Sequence, residues 1–386
     1  MSRVILYTGK GGVGKTSVAA ATAAMISKGR KTLVMSTDPA HSLSDSLKLD
    51  IGSGPTKIEN NLYAQEVNIN QAINEHWEDL KEYLTALFQY QGIDPISADE
   101  IAILPGFEEA TYLLYINDYL KSNSFDTIIV DSAPTGESLR LLSFPEVMTW
   151  YMDKIFPIGR TAAKIARPIV RPFTGGMPLP SDKVFKSAET LYRDLLNIQQ
   201  TMQNPEITSI RLVTNADHMS FNETKRAYTY LLLYGYPVDA VIVNKIYREN
   251  TGEFFKAWRQ SQSEILNDIN AAFGDIKIMK GYLMESEPLG IEELIKFGTE
   301  LYNGDDPYKI FKHEKPYEFE KSGNDTILKI KLPFADKGET NLFKKAGELI
   351  IEVKNWRRIV YLPQTIAEKD PSGAEFKNGY LYITLS

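Results

Sequence analysis

Residues 3–16 read Arg-Val-Ile-Leu-Tyr-Thr-Gly-Lys-Gly-Gly-Val-Gly-Lys-Thr, and their reading decides the fold. The aliphatic run Val4 to Leu6 predicts a buried strand that breaks into a glycine-rich turn. Ser17-Val-Ala-Ala-Ala-Thr-Ala-Ala then predicts a helix, since alanine loses no side-chain entropy on coiling. Strand, G-x-x-x-x-G-K-[ST] and helix, in that order, make a phosphate-binding loop. Gly9, Gly11, Gly12 and Gly14 let backbone N–H groups converge on an anion, and the following helix points its positive end at it. Lys15 is placed to reach β- and γ-phosphates, and the Thr16 hydroxyl to hold Mg²⁺. The competing reading is a glycine turn that merely joins two elements; Lys-Thr in register and two correct flanks weigh against it.

Lys10, inside the loop, narrows the class. Lys15 already serves the phosphates, so a second lysine is either solvated or reaches the phosphates of a facing subunit, stabilising transition-state charge in trans. The Gly-Lys-Gly-Gly-Val-Gly-Lys-Thr pattern resembles the deviant Walker A family of dimeric ATPases. That family includes partitioning proteins, the nitrogenase iron protein, and the arsenite-pump and tail-anchored-protein targeting ATPases.

The whole chain sets limits on function. At 386 residues it is long enough for a sizeable core and for one large domain or two. A net charge of −7 argues against nucleic acid as the principal partner. No stretch approaches the roughly 20 apolar residues of a membrane span. The first strand begins at residue 3, so no signal or transit peptide is expected in this form, and a cytoplasmic protein (or a stromal one, if a leader has been removed) is the expectation. There are no cysteines, which removes disulfides, thiolate zinc sites, iron–sulfur ligation and a cysteine nucleophile together. The four histidines, at 41, 76, 218 and 313, are too scattered to suggest a metal site.

Thr32-Leu-Val-Met-Ser-Thr-Asp38 predicts a second buried strand ending on an acid. In a doubly wound sheet, Asp38 then lies beside the phosphate loop, where it either orients the attacking water or caps a turn. Asp38-Pro-Ala-His-Ser-Leu-Ser-Asp45 resembles switch I of the arsenite-pump/tail-anchored-targeting ATPase family, which implies that Asp38 is the catalytic aspartate. Ser42 stands where targeting members usually carry Asn. Phe125-Asp-Thr-Ile-Ile-Val-Asp131 predicts a third buried strand, Walker-B-like, with Asp131 near Mg²⁺. The Asp-x-Ala-Pro-Thr-Gly loop after it matches the family's switch II, with Glu137 where His is common.

Two regions read as helical. Ile69, Ile73, Trp77, Leu80, Leu84, Leu87 and Phe88 fall three or four apart and form one apolar stripe. Residues 146–204 begin with the bulky run Val147 to Phe156, followed by a basic, proline- and glycine-broken stretch from Arg160 to Pro180 that reads as a loop or lid. Either apolar face packs on its own core or meets a client. The resemblance implies a helical subdomain, at about 68–122 and 146–204, that cups a hydrophobic client helix.

The sheet resumes with Ile210–Thr214, a helix over Glu223–Leu233, and Val238–Asn244. Asn244 is either a loop amide or, by the resemblance, the residue that reads the adenine edge, since an amide donates and accepts at once. Tyr247 to Gln262 lacks the Cys-x-x-Cys that clamps targeting dimers through zinc, so a dimer would rest on apolar surface and nucleotide. Ile276–Met279 predicts another strand, and Glu287-Pro-Leu-Gly resembles the closing nucleotide loop, with Leu289 where Arg is frequent. From about residue 316 the period changes to short strands at 326–333, 348–354, 357–363 and 379–385, a small all-β sandwich. Its segments resemble an α-crystallin (small heat-shock) domain.

The resemblance therefore implies an α/β, doubly wound, mostly parallel P-loop ATPase over 1–305, a linker at 306–315 and an α-crystallin-like sandwich over 316–386. Catalysis falls to Asp38, Lys10 and Lys15. ATP would contact Gly9, Lys10, Gly11, Gly12, Val13, Gly14, Lys15, Thr16, Ser17, Asn244 and Pro288. Mg²⁺ would sit among Thr16, Asp38 and Asp131, with neither zinc nor an iron–sulfur cluster. The implied protein is a homodimer that opens and closes a groove for hydrophobic helices, with a transient membrane receptor and no nucleic acid. The rivals are an arsenite-efflux subunit, against which the missing cysteines weigh, and a partitioning-type switch, for which a basic amphipathic tail is lacking.

Overall fold

Aliphatic runs without polar alternation need cover on both faces, which is what a parallel sheet between helices supplies. The computed structural model describes residues 2–38, 42–102, 107–154, 156, 160–161, 179–335, 337–345, 348–354, 356–363 and 365–386. It forms two compact units, one of 1–66, 125–139 and 202–386 and the other of 67–124 and 140–201.

The first unit is built on β1 (Arg3–Thr8), β2 (Thr32–Ser36), β3 (Thr56–Lys57), β4 (Leu62–Glu66), β5 (Thr127–Asp131), β6 (Thr208–Asn215), β7 (Val238–Ile246) and β8 (Lys277–Tyr282). The order is β3-β4-β2-β5-β1-β6-β7-β8, parallel except for the β3–β4 pair. β1, β2 and β5 are buried along their whole length, as their aliphatic sequences require. β3 and β4 carry no strand signal of their own, since Leu62-Tyr-Ala-Gln-Glu66 has no aliphatic run; pairing with β2 makes the latter a strand. The crossover from β1 leads over β5 to β2, whereas that from β5 leads over β1 to β6. Connections leaving in opposite directions open a crevice at the strands' carboxyl ends. Ile5 and Tyr7 pack with α1 (Lys15–Ile26) and α10 (Ile291–Tyr302) in one core. α8 (His218–Leu233), capped by Asp217, and α9 (Lys256–Phe273) pack on strands β6 to β8.

The C-terminal strands are antiparallel, in two sheets. β9 (Tyr317–Ser322), β10 (Asp325–Lys331), β14 (Pro371–Lys377) and β15 (Tyr380–Leu385) form one, in the order β14-β15-β10-β9. β11 (Thr340–Lys345), β12 (Glu348–Val353) and β13 (Trp356–Tyr361) form the other. Leu381, Ile383 and Leu385 are buried in alternation with partly exposed neighbours, the period-2 signature of a half-buried strand. These strands belong to the first unit and dock on α8. Tyr230 lies 4.2 Å from the Tyr234 ring and 4.7 Å from Trp356, and the Arg358 guanidinium donates to the Leu233 carbonyl that ends the helix.

A buried ionic network ties segment 306–315 to the sheet. Arg211 is fully buried; it donates to Asp239 Oδ1 at 3.3 Å, to the Tyr7 and Tyr302 hydroxyls at 3.1 and 3.2 Å, and to the Pro307 and Lys309 carbonyls, both at 3.0 Å. Arg3 donates to Ser209 at 2.6 Å and to the Lys309 carbonyl at 3.1 Å, while the Phe311 N–H donates to Asp239 Oδ2 at 3.1 Å. Burial, and then Arg211, bring the Arg3 pKa down to about 10. Expected on sequence to be a charged linker, the segment is fastened by two buried arginines.

The second unit is helical, with α3 (Ile69–Tyr90), α4 (Pro95–Ile101), α5 (Phe107–Lys121) and most of α6 (Thr135–Lys154) and α7 (Asp182–Met202). Ile73 and Trp77 are core, and Trp77 Nε1 donates to Thr111 at 3.1 Å. Further along the same stripe, Leu80, Leu84, Leu87 and Phe88 are only partly buried. The Ile69 and Glu137 side chains, and most of the stretch from Arg160 to Pro180, lie outside the described residues. Among the described residues no helix is long and apolar enough to cross a membrane.

Removing Asp239 leaves two arginines without their buried counter-charge, so Asp239→Ala is expected to lose about 3–5 kcal/mol of stability. Urea denaturation reads this directly; a loss under about 1 kcal/mol would mean that the network is not stabilising as described.

Candidate nucleotide site

The loop between β1 and α1 is shaped by two close approaches. A Cβ on Gly9 would collide with the Val213 carbonyl oxygen on the neighbouring strand. Gly14 has φ +91° and faces the Asn244 side-chain amide, so only glycine meets both demands there. The loop borders a cleft of about 910 Å³ lined by Gly11, Gly12, Gly14, Lys15, Thr16 and Ser17. Across it stand Asp38 and Pro134 from just beyond β2 and β5, Ser42 from the start of the next helix, Asn244 and Lys245 from β7, and residues 282–289 from the end of β8 and the loop after it.

Strand register sets the two acids. Asp131 is level with Tyr7 on one side and Ser36 on the other, and Asp38 follows two residues beyond Ser36. Asp38 takes part in the cleft wall, its N–H donating to Ser36 Oγ at 3.1 Å. Pro39, Ala40 and His41 lie outside the described residues. Two hydrogen bonds tie the segments after β2 and β5 together: Thr37 N–H to the Asp131 carbonyl at 3.0 Å, and Ala133 N–H to the Thr37 side-chain Oγ1 at 3.2 Å. The Thr135 N–H donates to the Gly9 carbonyl at 3.2 Å, joining the phosphate loop to switch II. α2 (Ser42–Leu47) is held in turn by Glu66, which accepts from the Ser44 N–H at 2.8 Å and from its hydroxyl at 2.7 Å.

Asp131 is buried beneath the cleft rather than on its wall. No well-aligned hydrogen bond reaches either carboxylate oxygen. Burial pushes its pKa up to about 7, against the Thr16 hydroxyl and Lys15 ammonium, which favour the charge; Asp38 adds to the rise. An orphaned buried carboxylate beside a threonine hydroxyl is a donor set of hard oxygens, which fits a divalent cation such as Mg²⁺. Among the described residues no three acids or histidines form an all-protein cage. Thr16, Asp38 and Asp131 are the residues that could hold the cation, and when bound with ATP it would neutralise charge on the β- and γ-phosphates.

The remaining expected residues divide. Ser17, Asn244 and Pro288 line the cleft with the loop. Gly9 and Val13 are buried behind it, and Lys10, half-buried, is not in its wall. Lys15 is buried and donates to the Lys10 carbonyl at 3.3 Å. Thr16 Oγ1 lies 3.2 Å from Ser42 Oγ, so a hydroxyl occupies the place where the resemblance suggests an amide. Sequence reading did not single out Lys245, whose ammonium donates to the Gly12 carbonyl at 2.7 Å, or Glu66. Nothing in the local pattern at either position signals the contact. The chemistry open to the site is phosphoryl transfer to water, in which the loop amides and Lys15 would meet the phosphates and Asp38, in the cleft wall, would be the group to orient the water.

A parallel sheet bearing this loop, with acids at the tips of β2 and β5, defines a P-loop ATPase. The chain belongs to the anion-transporting ATPase family: that family's profile matches residues 2–303, and the HSP20-like domain found in ArsA matches 323–385. It is an ATP hydrolase. A relative from Aquifex aeolicus, named "Putative arsenical pump-driving ATPase 1", is 39% identical with 100% of each chain covered. Two more, from Chlorobaculum tepidum (37%) and Prosthecochloris vibrioformis (38%), cover 99% of this chain and 95% of their own and carry the same name without the numeral.

Asp131 also sets a pH dependence. Its folded pKa, about 7, lies above the ordinary 3.8, so the folded state holds that proton more tightly. Nucleotide-free protein should therefore lose stability as pH rises from about 4 to about 7, and the loss should level off above that. Asp131→Asn is expected to melt higher than wild type by several degrees at pH 8, with the gain shrinking toward pH 5, and to lose hydrolysis. Equal melting curves at pH 8 would remove the buried-charge account.

Proposed function

We propose that this ATPase is a Mg²⁺-dependent homodimer whose nucleotide state opens and closes an apolar surface of the helical unit around hydrophobic helices, as a targeting factor or chaperone. The observation that carries the reading is the unfinished burial of that unit. Tyr90, Ile96 and Ile101 are 47%, 75% and 49% exposed, next in sequence to a stripe whose distal half is only partly covered. Isolated exposed apolar residues are ordinary; several on consecutive amphipathic helices point to a partner with an apolar face. The chain also provides a direct route for coupling, since α6 begins in the switch II loop at Thr135 and runs on to Lys154 in the helical unit.

A second reading has its own support: the relatives' names speak of driving an arsenical pump. Trivalent arsenic is a thiophile, and a chain with no cysteine offers it no thiolate. Arsenite-stimulated turnover of the purified protein would decide for that reading.

Light scattering with Mg²⁺, ATP and Asp38→Asn protein, which holds ATP unhydrolysed, tests the first. A dimer that captures a single-helix hydrophobic client in one nucleotide state and releases it in another is expected; indifference to every apolar helix in every state would sink the proposal. Lys10 acting across a dimer predicts that Lys10→Ala lowers turnover by about a thousandfold. Mixing it with inactive Asp38→Asn protein should restore part of the activity, because each hybrid pairs an intact Asp38 with its partner's Lys10. No recovery on mixing would place Lys10 in its own subunit's site.

A further inference from the structure

Successive residues of a strand point to opposite faces, yet Asn244 and Lys245 both reach the phosphate loop. Asn244 Nδ2 donates to the Val13 carbonyl at 2.9 Å, and Lys245 Nζ to the Gly12 carbonyl at 2.7 Å. Two irregularities make this possible. The β7–β8 register shifts between Val243 and Ile246, and Lys245 has φ +56°, a left-handed backbone that lysine seldom adopts. The bulge is secured by Gln262 on α9, whose amide accepts from the Tyr247 N–H at 2.9 Å and donates to the Lys245 carbonyl at 3.1 Å. On the other side, a Cβ at Gly281 of β8 would come within 2.7 Å of Asn244 Oδ1, so the absence of a side chain there leaves room for the amide.

The consequence follows from peptide geometry. In a trans peptide the carbonyl and the next N–H point in opposite directions. Holding the Gly12 carbonyl toward the end of β7 turns the Val13 N–H away from it; holding the Val13 carbonyl does the same for the Gly14 N–H. We infer that Lys245, with Asn244, is a positioning residue for phosphate binding: the bulge at the end of β7 pins two consecutive carbonyls of the loop so that the Val13 and Gly14 N–H groups stand ready for the anion. Without these donors the peptides would be free to turn, and the amides would have to be reoriented at each binding event. This concerns the nucleotide step and stands whether or not the client reading does.

The experiment is equilibrium binding of ATP, ADP and GDP to the full chain. Lys245→Met is expected to weaken all three by one common factor, about tenfold for a lost charge-assisted hydrogen bond. Lys245 is exposed, so the substitution removes no core packing. Acetyl-lysine placed at 245 retains the N–H but not the charge, and should stay within about threefold of wild type, as befits a neutral donor. Gln262→Ala, which frees the bulge, should weaken all three nucleotides in the same proportion. Unchanged affinity in Lys245→Met overturns the inference. So does a loss confined to adenine nucleotides, which would make the pair a base reader, or acetyl-lysine as weak as methionine, which would make Lys245 a direct phosphate cation.

Discussion

A stretch of backbone that offers its N–H groups to an anion must find donors for the carbonyls it turns the other way. The rest of this structure depends on that constraint, because the donors come from all over the sheet. Thr135, from the loop after β5, takes the Gly9 carbonyl; Asn244 and Lys245, from the end of β7, take those of Val13 and Gly12; Val18 takes that of Gly14 as α1 begins. Thr135 follows β5 and Asn244 and Lys245 close β7, so the donors outside α1 come from both sides of β1 in the sheet order. The loop is thus shaped less by its own glycines than by its neighbours, with glycine removing the side chains that would stand in the way.

The same edge explains why the acids differ. Asp38 has left the sheet and stands in the cleft wall, while Asp131 is still level with the strands and buried. A carboxylate kept away from water and without a good hydrogen bond is held at a cost to the fold, and its natural complement is a cation. Structural charge is handled in the opposite way behind the same sheet. Arg211, Arg3 and Asp239 are buried too, but they pair with one another and with hydroxyls and carbonyls, leaving only Arg3 Nε of their buried nitrogens without a hydrogen bond, and the network holds segment 306–315 in place. Asp131 has no such network around it; the arginines and Asp239 fasten the chain.

Much of the fold was legible in the chain because its signals are local. Val4 to Leu6, Thr32 to Ser36 and Thr127 to Asp131 are aliphatic enough to require burial on both faces, and each became a strand. Strands with mixed composition were not legible. Tyr317–Ser322, Thr340–Lys345 and Pro371–Lys377 contain no fully buried residue, and their pairing partners make them β9, β11 and β14. The site divides along the same line. Lys15, Thr16, Asp38 and Asp131 sit in contiguous motifs, whereas Glu66 and Lys245 look like unremarkable surface charges.

By itself, then, the amino-acid order determined the phosphate loop, the two acid-tipped strands, the helical regions and the change to β-structure beyond residue 316. Each rests on composition and spacing over a few residues, where steric and burial preferences act. Tertiary structure alone decided that Asn244 and Lys245 meet carbonyls more than 200 positions away, that Gln262 holds their bulge, and that Arg211 fastens Pro307 and Lys309. Those contacts depend on strand order, register and one left-handed residue. Such features appear only when distant segments compete for the same hydrogen bonds.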